Sequence, residues 1–312
     1  MQRIVVVGPG ALGCLFAGNL SRTAEVWLLD HDPARAERIV SEGGIFCEGV
    51  TKWNAKVPVT ANTDDIGTAD LVILCTKSYH TGEALMHAKP IIGEHTAVMS
   101  IQNGVGNTEF IEQVVGKSKT FAGITHHAVT LKGEGKIHHF FDGQTIIGSL
   151  SYESAGVLLT IQKLFQASGL KVEISNNIIG LLWSKLVINT GINALTAITR
   201  LENGKLLEYE GTEKILKMAV QEALQVTESK GIKLLHKDPL AAVLNACHDS
   251  RHNRSSMLQD VLRERHTEID EINGMIVHEG RKLGLNTPVN ETLYFLVKTI
   301  EQSYALRIKD EG

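Results

Sequence analysis

Three polar side chains on one apolar stretch are the first candidates for chemistry in this 312-residue chain. In Trp183-Ser184-Lys185-Leu186-Val187-Ile188-Asn189-Thr190-Gly191-Ile192-Asn193-Ala194-Leu195-Thr196, the residues Lys185, Asn189 and Asn193 fall four apart. A helix puts such residues on one face. The plain alternative is the solvated face of an amphipathic helix. Against it, the stretch is apolar nearly all round, which indicates burial, and asparagine is a poor mid-helix residue. A lysine flanked by amides suits a 2-keto acid. Its ammonium can protonate the carbonyl oxygen as hydride reaches the carbon, while the amides hold hydroxyl or carboxylate oxygens. Burial would lower the lysine pKa toward working pH.

A second polar group lies further on, in Asn253-Arg254-Ser255-Ser256-Met257-Leu258-Gln259-Asp260 and Arg265-His266-Thr267-Glu268-Ile269-Asp270. Ser256 with Gln259 has the form of a capping box, so a helix start is the plain reading of that serine. Glu268 falls three turns along what reads as the same helix, and spacing alone does not single it out.

The third set is Gly8-Pro9-Gly10-Ala11-Leu12-Gly13. This GxGxxG follows a strand and opens a helix, the context that a dinucleotide fingerprint requires. The first glycine permits the tight turn, the second admits a pyrophosphate and the third lets helix and strand pack. The helix N-terminus then offers free N–H groups to the phosphates. Asp30 ends the next strand, where a carboxylate can accept from the adenosine ribose hydroxyls. Asp32, before Pro33, is the better helix cap, which leaves Asp30 for the ligand. Lys77 and Asn103 follow two further apolar strands, at the carboxyl ends where ligands of open α/β sheets bind.

These groups need a scaffold. Apolar strands at 4–7, 25–29, 71–75 and 97–101 alternate with helical stretches at 11–20, 33–41 and 81–88, the pattern of a parallel sheet covered on both faces. Residues 45–59 read as an antiparallel excursion, and 121–131 with 136–141 as a hairpin. A helix over 154–167 and a strand over 172–175 follow. Beyond that, 177–198, 211–230, 239–248, 256–283 and 290–307 read as helices. The expected fold is α/β, a Rossmann-like dinucleotide-binding domain over 1–176 followed by an all-α substrate and catalytic domain over 177–312.

Composition narrows the function further. Lys plus Arg number 31 and Asp plus Glu 35, a formal charge of −4 with no basic footprint for nucleic acid. No apolar run approaches the ~20 residues of a membrane helix, and the N-terminus lacks a signal-peptide layout. Cys14, Cys47, Cys75 and Cys247 form no CxxC pair and suit a reducing cytoplasm. A metal site among His126, His127, His138 and His139 is rejected, because strand neighbours face opposite ways and a turn near Glu134 sets His139 against Val129. Isolated strand histidines are expected.

The strings Lys185-Leu186-Val187-Ile188-Asn189, Asn193-Ala194-Leu195-Thr196-Ala197-Ile198 and Asn203-Gly204 resemble the signature of the ketopantoate reductases. So do Ser255-Ser256-Met257-Leu258-Gln259-Asp260 and Arg265-His266-Thr267-Glu268-Ile269-Asp270-Glu271-Ile272-Asn273-Gly274. The glycine loop, the Lys77 loop and Asn103-Gly104-Val105-Gly106 match in the same order, and the resemblance covers roughly residues 4 to 305. It implies NADPH-linked reduction of 2-dehydropantoate to pantoate, toward pantothenate and coenzyme A, with the active site between the two domains. It implies Lys185 as general acid, Glu268 as the carboxylate assisting it, and Asn189, Asn193, Asn253 and Ser256 as substrate-binding groups. Asn103 and Lys77 match residues near the cofactor and the reacting carbon. Asp30 departs from the arginine common in the family. A carboxylate repels the 2′-phosphate of NADP and favours NAD, unless the helix from Pro33 turns Arg35 inward, or a protonated His31 contributes, to supply the missing charge. The alternatives are a reductase of another branched 2-keto acid and a non-enzymatic NAD(P) sensor. Retention of both Lys185 and Glu268 argues against the sensor. The oligomeric state is open, with a homodimer one arrangement.

Overall fold

The computed structural model describes residues 1–306. The chain forms two compact units, Met1–Ile178 and Ile179 onward. In the first unit the strands are β1 (Arg3–Val7), β2 (Glu25–Leu29), β3 (Ile45–Gly49), β4 (Trp53–Ala55), β5 (Val59–Thr60), β6 (Ala69–Leu74), β7 (Ile92–Ser100), β8 (Thr120–Thr125), β9 (Ala128–Gly133), β10 (Lys136–Phe141), β11 (Thr145–Ser149) and β12 (Val172–Ile174). Its helices are α1 (Ala11–Leu20), α2 (Pro33–Ser41), α3 (Thr81–Ala88), α4 (Gly106–Val115) and α5 (Ala155–Ala167).

Eight strands form the main sheet in the order β12-β11-β8-β7-β6-β1-β2-β5. Its pairs are parallel except β8 with β11. The continuous apolar runs follow from burial on both faces. Ile4 and Val6 of β1 pack with Leu15 and Phe16 of α1, while Val5 and Val7 pack with Leu85 of α3 and Ile111 of α4. Each such fully buried aliphatic contributes about 1.5–3 kcal/mol. The chain leaves β1 for β2 on one side and returns to β6 on the other, so the strand order reverses at β1. A crevice at the strand carboxyl ends is the ligand position of such sheets.

The excursion and the hairpin join in a second sheet, ordered β4-β3-β10-β9. β3 and β4 are antiparallel as expected, but β5 returns to the main sheet beside β2. The expected strand over 121–131 is two strands, since β8 belongs to the main sheet and β9 to the second. His126 and His127 occupy the break, and Asp142 to Gln144 form the matching break between β10 and β11. The two crossings stay paired, with His126 N–H donating to the Gln144 carbonyl at 2.9 Å.

This crossing overturns the expectation of isolated histidines. The register sets His139 opposite Val129, as read from the turn. Yet a register shift between His139 and Phe141 and the bend at the sheet change bring His127 Nδ1 within 3.1 Å of His139 Nε2. Alternation of side chains holds within one strand and fails where the chain leaves it.

The second unit is helical: α6 (Ile178–Thr199), α7 (Glu210–Ser229), α8 (Pro239–Asp249), α9 (Ser256–Leu262), α10 (Asn273–Lys282) and α11 (Pro288–Gln302). The helix expected over 290–307 ends at Gln302, and position 307 lies outside the described residues. Contrary to the reading of apolar runs, α6 has 22 residues and a mean hydropathy of 1.4, long and apolar enough by composition to cross a bilayer. Lys185 and the asparagines interrupt the run without lowering its average below that level. Most of it, 78 % of the window, is buried, which marks a core helix. A buried polar network fixes it. Asn273 Nδ2 donates to the Thr190 carbonyl (3.2 Å) and to Asn290 Oδ1 (2.9 Å), and Asn290 Nδ2 donates to Glu222 (2.7 Å). Glu222 also accepts from the Val289 and Asn290 N–H groups, at the N-terminus of α11.

Candidate active site

The glycine loop has the geometry its sequence calls for. Gly8 has φ +100°, and a Cβ on Gly13 would lie 1.9 Å from the Gly8 carbonyl oxygen. Those two glycines serve the chain itself. Gly10 is different, because a Cβ there would meet nothing closer than the Cys75 carbonyl oxygen at 4.0 Å. Its small size therefore serves no internal packing and leaves room for a group beyond the chain. Gly10 caps α1 without a side-chain acceptor, so the first N–H groups of that helix remain for a phosphate. The loop fits a dinucleotide pyrophosphate. Burial pushes the neighbouring Cys14 thiol up to about 12 and raises Cys75 as well, so both stay protonated.

Gln102, which the sequence analysis passed over, ties the other two loops of this edge together. Its Nε2 donates to the Thr76 carbonyl and hydroxyl, both at 3.0 Å, and to Thr81 Oγ1 at 2.9 Å. The Asn103 carbonyl accepts from Ser78 Oγ (2.6 Å) and Asn107 Nδ2 (2.7 Å). Lys77 and Asn103, both partly exposed, are thus held on adjoining loops. The available signal was one buried amide ending an apolar strand.

Asp32 caps α2, accepting from the Ala34 and Arg35 N–H groups at 3.0 and 3.2 Å, as expected. Asp30 is not thereby left free. Its side chain is 0 % exposed, and Arg35 folds back across it. Arg35 Nε donates at 2.6 Å to one oxygen and Nη2 donates to the other. An unpaired carboxylate buried at the end of β2 would be strongly unfavourable, and the first turn of α2 supplies the nearest cation. The bond to Asp30 in turn raises the Arg35 pKa.

On α6, Lys185 and Asn189 are partly exposed and Asn193 is buried. Lys185 has its pKa lowered to about 8 by burial, against the charge of Glu268, which raises it. Glu268 is 5 % exposed, but not on a helix. The stretch expected to be helical over 256–283 breaks between α9 and α10. Glu264 adopts φ +52°, and the Arg265 N–H turns back to the Asp260 carbonyl. Helix α11 pins the resulting loop on both sides of Glu268. Glu301 accepts from the Thr267 N–H at 2.7 Å, and Asp270 accepts from Tyr294 Oη (2.8 Å) and Lys298 Nζ (2.9 Å). Glu271, quoted from the sequence without a role, has its carboxyl raised to about 7 by burial, and its Oε2 has no hydrogen-bond partner.

The expected capping box at Ser256 is displaced by one residue. Ser255 is the cap, accepting from the Leu258 N–H at 3.0 Å and meeting Thr196 Oγ1 of α6 at 2.6 Å. Gln259 Nε2 donates instead to the Arg254 carbonyl. Ser256 and Asn253 are exposed, and Asn253 is placed by its backbone, whose carbonyl accepts from the Asn203 N–H at 3.0 Å.

A Rossmann-like sheet with a dinucleotide loop, followed by a helical unit bearing a lysine with a depressed pKa, defines a class of nicotinamide-dependent oxidoreductases. Residues 4–152 match the family model described as ketopantoate reductase PanE/ApbA, and residues 177–301 match that of its C-terminal part. The chain is 35 % identical over 302 residues to the 2-dehydropantoate 2-reductase of Pyrococcus horikoshii, covering 96 % of this chain and 98 % of that protein. A PanE/ApbA family ketopantoate reductase from Ralstonia eutropha superposes with a TM-score of 0.89 at 32 % identity, covering 97 % of this chain and 99 % of that one. D-mandelate dehydrogenase, solved with NADH and anilino(oxo)acetate, also gives 0.89, at 27 % identity, covering 98 % and 100 %. The chain belongs to the ketopantoate reductase family.

Proposed function

We propose that this protein reduces 2-dehydropantoate to pantoate. The observation that carries the reading is Lys185, a lysine with its pKa brought to about 8 beside a buried carboxylate, in a chain similar over nearly its whole length to proteins named for that reaction. The glycine loop, with the N–H groups that open α1, would hold the pyrophosphate. The nicotinamide, when bound, supplies hydride to the keto carbon. Lys185 Nζ gives its proton to the oxygen that becomes the hydroxyl. Glu268 keeps that ammonium charged against desolvation. Asn189, Asn193, Asn253 and Ser256 hold the substrate oxygens, and Lys77 and Asn103 flank the cofactor.

For the cofactor, we propose that NADPH is accepted. Asp30 has both oxygens engaged by Arg35 and no exposed surface. It presents a neutralised pair to the ribose, not a bare carboxylate. Arg35 keeps further N–H donors for a 2′-phosphate.

A second reading, reduction of a different 2-keto acid, has the match to D-mandelate dehydrogenase as its support. Catalytic efficiencies on 2-dehydropantoate and on phenylglyoxylate, measured side by side, separate the two. The proposal expects 2-dehydropantoate to be preferred by at least about tenfold, since a misfitted side chain costs ~1–3 kcal/mol at a binding pocket. Preference for the aromatic acid would replace it with the second reading.

A further inference from the structure

The double crossing between the two sheets gathers a set of side chains that the reductase reading does not use. His127 and His139 are both buried, and their facing nitrogens are 3.1 Å apart. Asp142 Oδ1 stands 3.7 Å from the same His127 Nδ1. The three ligand atoms all lie within 4.8 Å of one another, and among the described residues this is the His, Cys and carboxylate cluster with metal-ligand spacing. The chain is built to bring them together. Asp142 reaches His127 because Gly143 follows it, where a Cβ would lie 2.4 Å from the His126 carbonyl group.

We propose that His127, His139 and Asp142 form a binding site for a zinc-class divalent cation, with one coordination position left for water. Ligands at ~2.0–2.1 Å around tetrahedral zinc are about 3.3 Å apart. The 3.1 Å and 3.7 Å separations bracket that edge, and rotation of the partly exposed Asp142 carboxylate closes the remaining gap. The outer partner of His139 fits as well, while the other ring nitrogen of His127, Nε2, is buried without a hydrogen-bond partner. Thr51 Oγ1 lies 2.9 Å from His139 Nδ1. Accepting the proton there leaves the Nε2 lone pair for the ion, the arrangement that orients metal-bound histidines elsewhere. Lys171 Nζ pairs with Asp142 Oδ2 at 2.8 Å and so competes with an ion for that carboxylate, while Oδ1 stands toward His127. The His127 ring packs edge-on against Phe16 of α1, with centroids 6.3 Å apart. A bound ion would therefore clamp the crossing beneath the helix that carries the glycine loop.

The test is zinc binding by the full chain, by titration against a chromophoric chelator and by metal analysis after dialysis. One ion per chain is expected. Asp142→Asn, an isosteric change at a partly exposed position, should weaken it about tenfold or more. Lys171→Met, which removes the competing cation, should tighten it. The chain holds 13 histidines, so adventitious binding is the rival outcome. It is diagnosed by equal affinity in wild type and Asp142→Asn, and that result overturns the proposal. Failure of the wild type to take up zinc also overturns it and leaves the pair as an imidazole–imidazole hydrogen bond. If Asp142→Asn does not fold, as judged by circular dichroism, Lys171→Met decides: tighter binding supports the site, and unchanged or weaker binding overturns it.

Discussion

Lys185→Ala is expected to lower turnover by a factor of about 10²–10⁴, the usual contribution of a positioned general acid. Hydride arriving at the keto carbon builds an alkoxide, and without a donor in reach that anion must develop unneutralised. Lysine is suited to the task because burial has brought it to about 8 while Glu268 keeps it from falling further. Dinucleotide affinity should survive within a fewfold, since the glycine loop lies in the other compact unit. Fluorescence titration with NADPH and steady-state kinetics read the two quantities separately. Near wild-type turnover in the variant would remove Lys185 from the mechanism. Loss of cofactor binding together with turnover would indicate misfolding of α6, a core helix.

Arg35→Ala is expected to reduce catalytic efficiency with NADPH by about 10–10²-fold and to change that with NADH much less. Removing the guanidinium deletes a phosphate donor and uncovers Asp30, whose carboxylate then faces a 2′-phosphate of nearly two negative charges. At ~4 Å each charge pair costs about 1 kcal/mol in water and up to ~4 kcal/mol at the effective dielectric of a protein surface. Arg35 is partly exposed, so screening keeps the effect toward the lower part of that range. Arg35→Lys should recover little, because an ammonium cannot fork across both Asp30 oxygens. Equal losses with the two cofactors would show that Arg35 only steadies α2, and the NADPH reading would fall.

The Asp30 result shows where sequence reading reached and where it stopped. The carboxylate at the end of β2 was legible, as was the cap at Asp32, because both depend on neighbours within three residues. Its pairing with Arg35 depends on the direction of a side chain five residues on, which spacing does not give. The parallel sheet was legible because burial on both faces writes itself as unbroken apolar runs. The sheet change at His126 and His127 was not, because β8 and β9 are both strands and only the bend between them carries the information. Similarly, residues 256–283 read from the sequence as one continuous helix. A left-handed Glu264 and the pins from α11 divide it, and that division puts Glu268 in a buried loop beside Lys185. Ser256 reads as the cap because Gln259 completes a capping box by sequence. The bond from Ser255 to Thr196, 59 residues away, selects the other serine. Gln102 had no motif to announce it, and Glu271 lay inside the family string with no role attached to it.

The measurement that bears most directly on the account is the pH dependence of catalytic efficiency for 2-dehydropantoate reduction, in the wild type and in Glu268→Gln. A general acid acts in its protonated form, which Lys185 holds below a pKa of about 8. Efficiency should therefore be level below that pH and fall about tenfold per unit above it. Neutralising Glu268 removes the charge that raises the Lys185 pKa, so the falling limb should move to lower pH. A profile that stays level well above pH 8, or a limb that does not move in Glu268→Gln, would contradict the assignment of Lys185 as the proton donor.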